Sequence, residues 1–159
     1  MKNDENGKSL HKARYVAKGF SQTKGINYSE TFSPTARLSS VRILASLAVN
    51  MDMHVHQLDF KTAYLNAPID YDIFVEQPVG FEVKNNENFV WKLNKSLYGL
   101  KQSGRMWYFL LHDFLTDLGF KNSAAENCIY FKHSEISTII LVWVDDLLMA
   151  SRSLPEILS

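Results

Sequence analysis

Residues 139–150 read IILVWVDDLLMA, twelve positions at which Asp145 and Asp146 are the only polar side chains. A charged pair in so apolar a stretch is costly to bury unless something compensates it. The β-branched and aromatic residues around it favour strands, so the run reads as two strands, 138–144 and 147–150, meeting at the acids. Two arrangements satisfy the charges. In one, Asp145 and Asp146 form the two-residue tip of a β-hairpin and stand in water, although Asp-Asp suits a type I′ turn less well than Asn-Gly or Asp-Gly. In the other, the tip is aimed at a divalent-cation site, where carboxylate charge offsets the metal.

The remaining chain alternates strand and helix signals. Residues 1–10 are polar and expected to fray, whereas 13–20 mix aromatic, β-branched and basic side chains as a strand with a basic face does. Residues 27–34 read as loop. Ser39 and Ser40 are candidate caps for a helix that repeats Val41, Leu44, Leu47 and Ala48 at three- and four-residue spacing and ends near Asn50. A short strand over 54–60 puts Asp59 on the opposite face from Leu58 and Phe60. Residues 73–76 and 89–93 read as strands able to pair as a hairpin across the Pro78-Val79-Gly80 turn and an Asn-rich loop. From about Arg105 a second helix lines up Trp107, Leu110, Leu111, Phe114, Leu115 and Leu118, with Gly119 as its stop. Residues 128–131 form a further strand, and neither a repeat nor a low-complexity tract interrupts the order.

With 159 residues, 46% of them hydrophobic, the chain has apolar material for one compact domain or a piece of a larger one. A single cysteine, Cys128, excludes an internal disulfide and offers no zinc-type spacing, which points to an intracellular, reducing setting. Lys2, Asn3, Asp4 and Glu5 follow Met1 where a secretory signal needs an apolar core, and the longest apolar run is too short to span a bilayer, so no membrane partner is expected. Net charge is zero, which by itself weighs against nucleic acid. Its distribution weighs the other way. Lys8, Lys12, Arg14, Lys18 and Lys24 lie in one acid-free stretch, and Lys92, Lys95, Lys101 and Arg105 in another. Alone, each reads either as a solvated face or as a surface for phosphate. His54 and His56 share a strand face but lack the company of further ligands.

Nucleotidyl transfer is a reaction that needs a third acid near such a pair, because two Mg²⁺ ions roughly 3.5–4 Å apart must be held by hard oxygen ligands. Asp59, isolated among apolar and aromatic neighbours upstream, is the natural partner.

At this point the residues match a known family. KARYVAKGFSQ, YSETFSPTAR, LDFKTAYLN, QPVGF, SLYGLKQSGRMWY and VDDLL occur in the order and at the spacing of the reverse transcriptases of copia-type LTR retrotransposons, and the resemblance runs from about Lys12 to Ser151. It implies an α+β fold, the fingers and palm of a right-hand polymerase, with packed helices on an antiparallel palm sheet. The implied parts are a frayed 1–11, fingers over 12–53 and 69–103, a palm strand over 54–68, the palm helix and catalytic hairpin over 104–151, and a tail over 152–159.

The same resemblance assigns roles. Asp59, Asp145 and Asp146 would be the catalytic metal-binding acids, with Asp59 and Asp145 bridging two Mg²⁺ ions, Mn²⁺ as an alternative, and the Phe60 carbonyl as a further ligand. Tyr64 would lie beneath the incoming sugar and reject a ribose 2′-hydroxyl. Arg14 would grip the triphosphate through its forked guanidinium, with Lys18 assisting. Tyr98 and Gly99 belong to the nucleotide-contact segment, and Gly99 would let backbone approach the substrate. Lys12, Lys101, Gln102, Arg105 and Trp143 would meet the template-primer. Implied partners are an RNA or DNA template-primer, deoxynucleoside triphosphates and the remaining Pol domains, in a cytoplasmic particle or the nucleus. Two positions depart from the family: Trp143 stands for its usual tyrosine, losing a hydroxyl near the primer end, and Gly104 stands for the proline of its KQSPR pattern. The family continues beyond the VDD hairpin into the rest of the palm, a thumb and an RNase H domain. The chain is therefore expected to be truncated before the thumb. The alternative reading is an inactive retrotransposon remnant that at most binds nucleic acid.

Overall fold

The computed structural model describes residues 2–3, 9–11, 13–132, 138–153 and 155. Its strands are β1 (Lys2–Asn3), β2 (Ser9–Leu10), β3 (His54–Asp59), β4 (Phe74–Val75), β5 (Trp91–Lys92), β6 (Lys121–Asn122), β7 (Ile129–Lys132), β8 (Thr138–Trp143) and β9 (Asp146–Ser151). The α-helices are α1 (Leu38–Asn50), α2 (Ala63–Asn66) and α3 (Ser103–Asp117), and Gly19–Ser21 form one 3-10 turn. An antiparallel five-stranded sheet, ordered β3-β9-β8-β7-β6, forms the frame, while β1-β2 and β4-β5 are separate two-stranded ladders. The acidic run thus supplies two inner strands of the sheet, and β3 lies along its edge.

Strand alternation sorts the side chains. Leu141, Leu148 and Gln57 stand in one cross-strand row, as do Ile140, Met149 and His56 in the next, on the opposite face. Helix α1 covers the first face, where Leu44 lies beside Leu141 and Leu148. Helix α3 covers the second, tied there by His112 Nδ1 and the Tyr130 hydroxyl at 3.0 Å. Leu44, Ala48, Trp107, Leu111, Leu115 and Leu147 share one core, and each large apolar side chain buried there stabilises the fold by about 1.5–3 kcal/mol. A second, smaller core joins Ala17, Ile73, Leu97 and Leu100.

Several expectations need correction. Residues 2–3 and 9–10 pair rather than fray. Residues 13–18 form no strand: Ala17 N–H donates to the Tyr98 carbonyl at 2.8 Å, and the partner segment then turns away at Gly99, φ +94°. Neither Ser39 nor Ser40 caps α1. Arg37 holds the N-cap position without a side-chain bond, and Glu126 serves instead, accepting from Arg37 N–H at 2.8 Å and from the Ser40 hydroxyl. The apolar stripe of α3 is narrower than its sequence suggests, with Trp107, Leu111 and Leu115 buried but Leu110, Phe114 and Leu118 exposed. Its stop is as expected, because Gly119 at φ +86° lets Phe120 N–H return to the Leu115 carbonyl at 3.0 Å. Strands over 73–76 and 89–93 shrink to β4 and β5 but pair as anticipated. Most of 152–159 lies outside the described residues.

Candidate active site

The register of three strands assembles the acidic centre. Trp143 on β8, Asp146 on β9 and Asp59 on β3 stand opposite one another in a single row. Asp145 does not pair. The two-residue turn is Val144-Asp145, one position earlier than an Asp-Asp tip, and Asp146 already belongs to the strand. That shift matters chemically, because it brings Asp146 face to face with Asp59, and like charges directly opposite repel. Asp146 accepts from the Gln57 amide at 3.0 Å. Among the described residues the ion pairs are Lys18–Glu76 and Lys92–Asp72, so no cationic side chain neutralises the row.

Val144 adopts φ +58°, a left-handed conformation that costs a β-branched residue on the order of 1–3 kcal/mol. Two donors hold the turn in place. The indole N–H of Trp107 donates to the Val144 carbonyl at 2.7 Å, and Phe60 N–H to the Asp145 carbonyl at 2.8 Å. The Phe60 ring meets the Trp107 ring edge-on at 5.0 Å. Sequence reasoning saw Trp107 only as core. The signal was present, because a buried indole is a donor that must find an acceptor.

Tyr64 on α2 and Tyr98 form a tilted ring pair at 4.6 Å. Burial raises the pKa of the Tyr64 hydroxyl, and the Asp145 carboxylate adds to the shift. Tyr98 is raised by burial and then by Asp145, against an opposing pull from Arg14, with Asp59 adding a smaller push. Arg14, Tyr64, Tyr98, Asp59 and Asp145 therefore share one electrostatic neighbourhood, although they come from distant parts of the chain.

Other candidates fall elsewhere. Gln102 is fully buried; it donates to the Asn27 carbonyl at 2.9 Å and accepts from Gln22 at 3.0 Å, so it anchors a loop. The space a side chain at Gly99 would need is taken by the Ala17 carbonyl, 2.1 Å from an ideal Cβ, rather than left for a substrate. Lys101 reaches the Gln22 carbonyl at 3.0 Å and lies over the Tyr28 ring. Arg105 reaches the Phe32 carbonyl at 3.2 Å and stacks on Phe109. Lys18 pairs with Glu76 at 3.6 Å across solvent. Trp143 is the exception, standing in the acidic row and 46% exposed. Lys12 lies outside the described residues. At Gly104 a Cβ would meet Ser33 and the Tyr64 hydroxyl at ordinary contact distances, so space does not require glycine there.

Hard oxygen donors in register suit Mg²⁺, yet among the described residues no three His, Cys, Asp or Glu side chains gather into a ready-made metal cage. Mg²⁺ does not demand one, since it binds through one or two carboxylates and completes its shell with water and substrate phosphate. The site fits the ion on those terms.

Comparison with known proteins decides the family. A model described as "Reverse transcriptase (RNA-dependent DNA polymerase)" matches residues 1–158. This chain belongs to the reverse transcriptase family. Relatives of this reverse transcriptase domain are copia-type Pol polyproteins of plant and yeast transposons. It is 46% identical over 144 residues to the Retrovirus-related Pol polyprotein from transposon TNT 1-94 of Nicotiana tabacum, covering 89% of this chain and 11% of that protein. Against the Pol polyprotein from transposon RE1 of Arabidopsis thaliana it is 40% identical, covering 94% of this chain and 10% of the relative. The Transposon Ty1-BL Gag-Pol polyprotein of Saccharomyces cerevisiae is 34% identical, covering 91% and 8%. The reverse transcriptase domain thus spans about a tenth of the length of these curated relatives. No solved structure matches it.

Proposed function

We propose that this domain carries the catalytic centre of an RNA- and DNA-dependent DNA polymerase, which adds deoxynucleotides to a primer 3′-hydroxyl. The observation that carries the reading is the register that sets Asp59 opposite Asp146, with Asp145 in the adjoining turn. Asp59 and Asp145 would hold two Mg²⁺ ions, or Mn²⁺, with Asp146 and the Phe60 carbonyl beside them. Bound there, the ions lower the pKa of the attacking hydroxyl and offset charge on the departing pyrophosphate.

The chain's own residues would bind and orient. Arg14, exposed and close enough to Tyr98 to pull on its hydroxyl, would pair with triphosphate oxygens, and Lys18 would join on leaving Glu76. Tyr64, backed by Tyr98, would exclude a 2′-hydroxyl. Lys12, Lys101, Arg105 and Trp143 would face the template-primer. The arrangement would be that of a right hand, with fingers over 12–53 and 69–103 and palm over 54–68 and 104–151. A separate small core around Ala17, Ile73, Leu97 and Leu100 supports a distinct fingers unit, whereas α1 packs into the core of the sheet. The remaining Pol domains would complete the duplex grip, inside a cytoplasmic particle or the nucleus.

Primer extension on poly(rA) with Mg²⁺ tests the reading. Asp145→Asn should reduce extension about 10²-fold or more, the scale of losing one preorganised charge-stabilising group. Equal extension by wild type and variant would sink the assignment.

A second reading, a domain that binds nucleic acid without catalysis, draws on the two acid-free basic stretches, 8–24 and 92–105. It calls for salt-dependent binding with no extension. Unchanged affinity on joint replacement of Lys12, Arg14 and Lys101 by Ala would exclude it.

A further inference from the structure

We infer that Trp107 is a positioning residue for the acidic hairpin, its indole N–H clamping the strained Val144 turn so that Asp145 and Asp146 stay in place beside Asp59. The inference rests on the metal-site reading above for its purpose, but its geometry stands alone. Trp107 is buried to 4% exposure, and its one polar atom is spent on the Val144 carbonyl, at 2.7 Å. That carbonyl belongs to the peptide joining the two turn residues. Val144 sits at φ +58°, where a β-branched side chain favours escape to another backbone conformation. Any such escape swings the next carbonyl, that of Asp145, away from Phe60 N–H, which it meets at 2.8 Å. The Phe60 ring is itself packed on Trp107. One side chain on α3 therefore controls both fastenings of the turn, one by donating and one by supporting the ring. Losing the N–H while keeping an aromatic body should release the turn and leave the core filled.

The test is amide hydrogen exchange on the full chain, with Ile140 in the sheet centre as reference. In the wild type the Trp107 indole N–H should exchange slowly; exchange at the rate of a solvated indole overturns the inference without any variant. In Trp107→Phe, Phe60 N–H should exchange on the order of tenfold faster relative to Ile140, as expected for losing one hydrogen bond locally. Glycine tolerates the left-handed turn without strain, so adding Val144→Gly should restore Phe60 protection. It should not restore it in Leu111→Ala, which only hollows the core. Equal acceleration at Phe60 and Ile140, or failure of Val144→Gly to rescue, overturns the positioning role. Mn²⁺ titration is read separately: absence of wild-type binding that Asp145→Asn weakens would refute the metal site, while the exchange result still decides the role of Trp107.

Discussion

Asp59 and Asp146 oppose one another, and among the described residues no ion pair joins either to a cation, so each weakens the fold that presents it. Neutralising one should relieve cross-strand repulsion of about 0.2–1 kcal/mol. Asp59→Asn is therefore expected to raise the urea midpoint at low salt while losing Mg²⁺-dependent extension, and the gain should shrink as salt screens the pair. Added Mg²⁺ should raise the wild-type midpoint more than that of the variant, because only the wild type gains a bound state to stabilise. A midpoint lowered by the substitution would show that the two carboxylates do not repel.

At the scale of elements, the interaction that starts α1 comes from far along the chain. Glu126, 86 residues from Ser40, fastens the helix start by accepting from the Arg37 N–H and the Ser40 hydroxyl. Glu126→Ala should cost about 1 kcal/mol, the usual worth of a cap, and lower Tm by about 2–4 °C for a chain of this size. Ser39→Ala, at an exposed position in the first turn, should leave Tm unchanged. This contrast marks what a sequence reveals. Strands β3, β8 and β9 were legible because a period of two and the acidic interruption are local patterns. Glycine at 119 was legible for the same reason. The cap, the indole clamp and the burial of Gln102 were not, since each depends on which distant segment arrives opposite. The one-residue shift of the hairpin turn was hidden too: no local rule prefers Val-Asp over Asp-Asp, and the register is settled by pairing with β3 and the clamp from α3.

For the molecule as a whole, Cys128 is a probe of integrity. It is fully buried, and burial followed by the Glu126 charge pushes its thiol from 9.0 up to about 11. A raised folded pKa means the folded state holds its proton more tightly. The associated stability is present below pH 9 and is lost as pH climbs toward 11. Urea midpoints should fall across that window, and fall less steeply in Cys128→Ala. Tyr130 is raised mainly by burial, with the Cys128 charge adding a small part, so the difference between the chains reads the thiol together with its coupling to Tyr130. Identical slopes would show that the thiol ionises equally well folded and unfolded.

The contact between residues 17–19 and 99 carries a consequence for descent. An ideal Cβ on Gly19 would come 1.9 Å from the Gly99 carbonyl, and one on Gly99 would come 2.1 Å from that of Ala17. In each case the nearest obstruction is main chain, so side-chain changes on the facing segment alone cannot make room. Neither position has a compensating partner through which drift could pass. A lineage that replaces either glycine must move the backbone beside Tyr98, and with it the ring that backs Tyr64. A substitution at either codon should therefore mark a decayed copy of such an element, where a change on the looser surface does not.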